Sequence, residues 1–324
     1  MSFMEPKRTL GAKLEATPYT AETLSANDFK FAAYTVTYSG DIPMKARKLV
    51  RGDFSKDPSI AGKRMVTFTF LVDLYHSGTP ATPPNYYELL RACGMKQTVH
   101  GATGVSLVTH ADYTNVPMTI EVVEKEEGTT PVQLVIRGRG CMGNPKLTFN
   151  NIGEPVAISF EFKGVLAAIE DRAFASILAP SGISTQLPDA VLSAGLTIFG
   201  ELRCFNTLTI DLGNDIQLHT CSNQTEGYIG AHLADRNPTV EYDPDLQLIA
   251  TQGDYARWTA NTTGAMSVTI GGVGRDITLS APAAQIINAY QPGDREGHVT
   301  NQESLELKRS SGNDEFEILQ GSKT

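Results

Sequence analysis

The sequence predicts a mainly β protein of two tandem β-sandwich or barrel domains, each with one short flanking helix. Three observations predict it. Apolar side chains alternate with polar ones at period 2 wherever a period is clear, turn-forming residues separate these runs, and the two halves share an order of elements. Val66, Phe68, Phe70 and Val72 alternate with Thr67, Thr69 and Leu71; Val132, Leu134 and Ile136 with Gln133 and Arg137; Val156, Ile158, Phe160 and Phe162 with Ser159 and Glu161. Side chains on a strand point to opposite faces in turn, so each run reads as a strand with one face buried.

Taken in order, the first half reads as a strand, a long polar loop containing Gly62-Lys63-Arg64, a strand over residues 66–72, a helix, a strand from Met118, a turn, a strand from Val132, and closing strands at 147–149 and 156–162. The helix spans residues 84–94: Asn85 stands near its start, Tyr86, Tyr87, Leu89 and Leu90 line one side, and Gly94 sits where a left-handed cap belongs. The second half reads as a strand over 208–212, a strand near 216–218, a polar loop through Asp235-Arg236-Asn237-Pro238, a strand at Val240, a helix over 254–261, strands from Met266 and Ile277, and a close at 305–307 and 316–319. Turns are expected at Ser39-Gly40-Asp41, Glu127-Gly128, Gly143-Asn144-Pro145, Asn151-Ile152-Gly153, Gly213-Asn214-Asp215, Gly271-Gly272 and Ser311-Gly312-Asn313. Residues 179–188, poor in charge and rich in Pro and Gly, read as a linker. The expected division is a first domain over 1–165, a linker over 166–194 and a second domain over 195–324. The offset between aligned positions falls from 174 at Val66/Val240 to 148 at Met118/Met266, so the second copy is shorter around its helix.

With 324 residues, 41% hydrophobic and 19% charged, the chain has material for two cores and lacks the charge of a disordered polymer. No run approaches the ~18 apolar residues of a membrane helix, and the first 28 residues hold no apolar signal core, so a soluble protein without a secretion signal is expected. Cys93, Cys141, Cys204 and Cys221 never form a CxxC pair, and the six histidines show neither HxH nor HExxH spacing, so no metal site is expected. The stretch from Gly271 to Asp276 lacks the ending of a phosphate loop and lies between two β runs, which makes it a hairpin turn. There is no GxSxG elbow, and the carboxylates Asp243 and Asp245 fall in a Pro-rich turn. The expectation is a protein without catalytic residues, cofactor or metal.

Net charge is −9, against tight nucleic-acid binding, and it is unevenly placed. Residues 1–165 hold 18 Lys and Arg against 16 Asp and Glu, whereas residues 166–324 hold 9 against 20. One basic cluster stands out: Lys45, Arg47, Lys48, Arg51, Lys56, Lys63 and Arg64, in the loop ahead of the 66–72 strand. The bland reading is a solvated loop, yet a connection that long inside a compact β domain is long enough to be functional on length alone. With an acidic second half and the acidic candidates Glu124, Glu126 and Glu127, its expected partner is another copy of the chain.

Several segments, in order, resemble the major tail tube proteins of long-tailed bacteriophages. They are Gly11-Ala12-Lys13-Leu14-Glu15-Ala16-Thr17-Pro18-Tyr19, the helix from Tyr86 to Gly94, Val135-Ile136-Arg137-Gly138-Arg139-Gly140-Cys141-Met142-Gly143 ahead of Pro145-Lys146-Leu147, Leu208-Thr209-Ile210-Asp211-Leu212-Gly213-Asn214-Asp215, and the stretch from Asp235 to Pro244. The resemblance implies two tube-type β-sandwich domains and a structural virion protein whose rings stack into the conduit for DNA ejection. It implies rings of three double-domain chains with pseudo-sixfold symmetry, assembled in the bacterial host cytoplasm. It further implies contacts to tape-measure, tail terminator and baseplate or distal tail proteins, and a lumen through which DNA passes without specific binding. The alternative is a carbohydrate-binding β-sandwich module or another, non-tail virion structural protein; against the former, the single Trp258 lies in an expected helix and offers little for stacking on sugar. On the tube reading the basic loop bridges successive rings.

Overall fold

A computed structural model describes the chain except residues 1–2, 51–54, 111–115, 127–132, 173–180, 193, 273 and 324. The fold is mainly β, and among the described residues sixteen strands join one antiparallel sheet. In the first half β1 (Phe3–Leu14), β2 (Ala33–Asp41), β5 (Met65–Asp73), β8 (Met118–Glu126), β9 (Gln133–Phe149) and β10 (Ala157–Arg172) pair in the order β1-β8-β9-β10-β5-β2. In the second half β11 (Gly195–Ile198), β13 (Leu208–Asp211), β16 (Thr239–Tyr242), β17 (Thr263–Ile270), β18 (Ile277–Arg295) and β19 (His298–Lys308) pair in the order β11-β17-β18-β19-β16-β13. Position for position along the chain, these are the same connections.

Each half also carries a hairpin after its second strand: β3 (Met44–Lys45) with β4 (Ile60–Ala61), and β14 (Asn214–Thr220) with β15 (Tyr228–Arg236). The short α1 (Tyr87–Arg91) follows β5, while α2 (Ile249–Gln252) and α3 (Asp254–Thr259) follow β16. A hairpin of β6 (Met95–His100) and β7 (Gly104–Thr109) follows α1 and has no counterpart between α3 and β17, which accounts for the shorter second half. Outside this scheme, β12 (Glu201–Arg203) extends the sheet beyond β11, and β20 (Glu317–Gly321) lies between β18 and β7.

Two of the three period-2 runs face where their spacing directs; in the third, Gln133 is buried and Leu134 only half-buried, because Leu24 and Phe29 cover the other face of β9 and bury Val135 there, and Val132 lies outside the described residues. Val66, Phe68, Phe70 and Val72 are buried, as are Phe160 and Phe162 opposite Phe70 and Phe68 on β10, with the Phe70 ring 5.5 Å from that of Phe160. Tyr86, Tyr87, Leu89 and Leu90 of the helix region are fully buried, and Gly94 takes φ +81° to end it. One hydrophobic cluster runs from Leu10 through Phe68, Leu147 and Leu208 to Leu279 and Ile318, so side chains of both halves share it.

Two expected turns are strand instead. Ser39-Gly40-Asp41 lies in β2, where Gly40 pairs with Val66, and Gly143-Asn144-Pro145 lies inside the continuous β9. The proline is tolerated because of its place in the sheet. Pairing of β9 with β8 ends at Cys141 and pairing with β13 begins at Lys146, so the missing N–H of Pro145 falls in the gap between two neighbours. The expected turns at Asn151-Ile152-Gly153 and Gly271-Gly272 are present, with Gly153 at φ +94° and Gly271 at φ +93°, whereas Glu127-Gly128 lies outside the described residues.

Candidate assembly surface

The sheet holds a seam at which the second half adds strands to the first. Along it β13 pairs antiparallel with the end of β9, Leu208 opposite Phe149 and Asp211 opposite Lys146. The ladder continues past Asp211, since the Leu212 N–H donates to the Pro145 carbonyl (3.3 Å). Side chains lock the register. Asn144 Nδ2 donates to Asp211 Oδ1 (2.8 Å), the Asn214 N–H donates to Asn144 Oδ1 (2.9 Å), and Asn214 Nδ2 reaches the carbonyls of Cys93 (2.8 Å) and Gly143 (3.0 Å). Leu208, Ile210 and Leu212 are fully buried there.

From this seam the β14–β15 hairpin folds over β9. Ile216 and Ala231 bury against Met142. The backbones of Gly140 and Gly230 come so close that a Cβ on Gly140 would stand 2.9 Å from Gly230 Cα, and one on Gly230 would stand 2.0 Å from Tyr19 Cδ1. Arg139 clamps the contact by donating to the carbonyls of Tyr19 (2.9 Å) and Ile229 (2.7 Å) and to Glu226 Oε2 (2.9 Å). Beneath it Glu15 accepts from the N–H groups of Tyr19 and Gly140 (both 2.7 Å) and from Thr119 Oγ1 (2.9 Å); burial nonetheless pushes its carboxyl above the ordinary range.

The basic cluster lies on the counterpart hairpin. Lys45, Arg47, Lys48, Lys56, Lys63 and Arg64 are all exposed, and Arg51 lies outside the described residues. The base of this arm touches the second half: the Lys63 ammonium stands 5.0 Å from the Tyr228 ring centroid, and the Arg64 N–H donates to the Glu226 carbonyl (3.0 Å). Among the acidic candidates, Glu124 accepts from Arg8 (2.7 Å) and from the Tyr38 hydroxyl (3.0 Å) of its own chain. Arg8 also donates to the Val36 carbonyl, which brings β1 and β2, the two ends of the six-strand run, together. Glu126 pairs with Phe3 across β8 and β1, and Glu127 lies outside the described residues.

The seam residues Asn144, Asp211 and Asn214 and the Arg139 clamp are not among the residues that the sequence singles out as an assembly site. Their signal was present in part, as the Gly138-Arg139-Gly140 stretch and the Gly213-Asn214 pair, but a side chain that bridges strands about 70 residues apart leaves no period in the chain. Of the thiols, Cys93 and Cys141 are fully buried and raised well above their usual pKa by that burial, while Cys204 is exposed. Among the described residues no three His, Cys, Asp or Glu side chains gather where a metal ion could sit. No protein-family model matches the chain, and no curated protein matches it.

Proposed function

We propose that the chain is a structural subunit that polymerises into stacked rings, forming the tail tube of a long-tailed bacteriophage through which DNA is ejected. The observation that carries this reading is the recurrence of one strand order in two halves joined edge to edge. A half that adds to its counterpart within the chain has the geometry to add to further chains, and ring closure removes exposed sheet edges. On this reading residues 1–165 and 195–324 are two tube domains joined through 166–194, and three chains give a ring of six domains with pseudo-sixfold symmetry. The basic arm reaches an acidic surface of the adjacent ring, and the excess acidic charge of the second half suits a lumen that repels phosphate. Tape-measure, terminator and baseplate or distal tail proteins are the further partners. The subunit needs no cofactor and performs no catalysis.

Negative-stain electron microscopy of purified protein tests the reading, with rings or tubes expected and monodisperse monomers at all concentrations as the refuting result. Native mass spectrometry of isolated rings separates three chains from six. A variant lacking residues 45–63 is expected to fold and close rings without stacking them; normal-length tubes from that variant would remove the inter-ring role of the arm.

A further inference from the structure

We infer that two chains join by repeating the internal seam, with the β2 edge of one chain, at Tyr38 to Ile42, adding to the β18 edge of a second copy at Gln291 to Arg295. The inference deepens the tube reading, and rests on it for the occurrence of self-assembly.

The strand registers define which residues correspond. Val66 on β5 pairs with Gly40 on one side and Gly164 on the other, and Val240 on β16 pairs in the same way with Ile210 and Leu305. Two positions beyond Gly40 and Ile210 stand Ile42 and Leu212. Four positions before Gly164 and Leu305 stand Phe160 and Asn301, whose partners across the hairpin are Pro145 and Pro292. Leu212 donates its N–H to Pro145 inside the chain, so its equivalent, Ile42, is matched to a Pro292. Asp41 corresponds to Asp211, and Gln291 to the Asn144 that donates to it, so the locking amide and carboxylate recur as well.

Both members of the second pair are uncovered in the single chain. Leu212 is 0% exposed and Ile42 38%; Pro145 is buried and Pro292 exposed. Among the described residues β2 pairs with β5 alone, and beyond Gln285 β18 pairs with β19 alone. The Leu74 N–H donates to the Val156 carbonyl ahead of β10, so even-numbered backbone groups of β5 face β10 and odd-numbered ones face β2; Thr37, Ser39 and Asp41, opposite Thr69, Thr67 and Met65, therefore face β5, and the backbone groups of Tyr38, Gly40 and Ile42 face outward, as those of Leu208, Ile210 and Leu212 do toward β9. Apolar side chains stand exposed on both sides of the missing contact, Met44 and Ile60 beside β2 and Ile287 and Tyr290 ahead of Pro292. Because the two edges differ, the contact is heterologous and leaves a free edge at each end, which a ring closes.

The test uses the full chain with Cys204→Ser and Cys221→Ser, carrying either Asp41→Cys or Gly293→Cys. This pair is equivalent to Asp211 and Lys146, and such non-hydrogen-bonded neighbours on antiparallel strands have Cα atoms about 4.5 Å apart, within disulfide reach. A mixture of the two variants, oxidised with copper phenanthroline, is expected to give covalent dimers that neither variant gives alone. Independently, Ile42→Glu in the otherwise unchanged chain is expected to keep the native circular dichroism and to raise the concentration needed for assembly by about thirtyfold or more, the scale of losing one buried anchor. Rings or tubes that form with no cross-link, and at the same concentration with Ile42→Glu, overturn the inference and leave the tube reading standing. Cross-linked oligomers that never become tubes support the seam and count against the tube. Failure to self-associate at any concentration defeats both.

Discussion

Replacing Leu212 by Ala probes the internal seam directly. The side chain is fully buried in the cluster shared by both halves, and its own N–H is held by the Pro145 carbonyl. Losing about three buried methylene-sized groups costs about 2.4 kcal/mol in transfer alone. The backbone around it is pinned on both sides by the β9–β13 ladder and by Asn144 and Asn214, so the space cannot collapse and a cavity contribution adds to that. A total of about 3–4 kcal/mol is expected, within the usual range for buried leucines. Ile42→Ala removes a side chain that is 38% exposed in the single chain, and in dilute, unassembled protein it is expected to cost under about 1 kcal/mol. Urea unfolding followed by far-ultraviolet circular dichroism distinguishes the two, with the first transition taken as the readout because a chain of this length need not unfold in one step. A loss below about 1 kcal/mol for Leu212→Ala, or equal losses for the two variants in the monomer, would refute the argument that one position is covered and its counterpart open.

Arg139→Met keeps the aliphatic bulk and leaves the Tyr19 and Ile229 carbonyls and Glu226 without their donor; a destabilisation of about 3 kcal/mol and early protease cleavage within residues 214–236 are expected, measured by limited proteolysis against wild type. Gly230→Val meets the Tyr19 ring where no Cβ fits and is expected to lift the same hairpin, seen as faster amide exchange in residues 228–236. Burial pushes the Glu303 carboxyl above its ordinary 4.5 against the opposing effect of the Tyr242 hydroxyl, so the folded state holds the proton more tightly and this contribution to stability is lost as pH rises through the raised value. Glu303→Gln, which mimics the protonated form, is therefore expected to lose less stability than wild type as pH rises from about 4.5 to 7, and parallel urea midpoints across that window would contradict it. Dithionitrobenzoate is expected to label Cys204 and Cys221 in the folded chain and to reach Cys93 and Cys141 only after unfolding, as counted by peptide mass spectrometry.

The sequence alone determined the class of the fold and much of its element order. Period-2 runs such as Val66 to Val72 mark buried strand faces whatever they pair with, because alternation is a property of the extended backbone itself. Gly94 marks the end of its helix by its freedom at positive φ, and Gly271 the hairpin turn, which are again local properties. What local chemistry cannot decide is which strand edges remain free after hairpins have formed. Gly143-Asn144-Pro145 has the composition of a turn and became strand because β10 offers pairing on one side and the gap between β8 and β13 absorbs the missing N–H on the other. Glu124, read as a surface for a partner, is held by Arg8 and Tyr38 because strands β1, β2 and β8 meet there. The seam between β13 and β9, the place of β20 between β18 and β7, and the opposite exposures of Leu212 and Ile42 were decided by tertiary structure alone. Backbone hydrogen bonding between strands is indifferent to side-chain identity, so pairing across a distance in sequence is selected by which edges and cavities the rest of the fold leaves open.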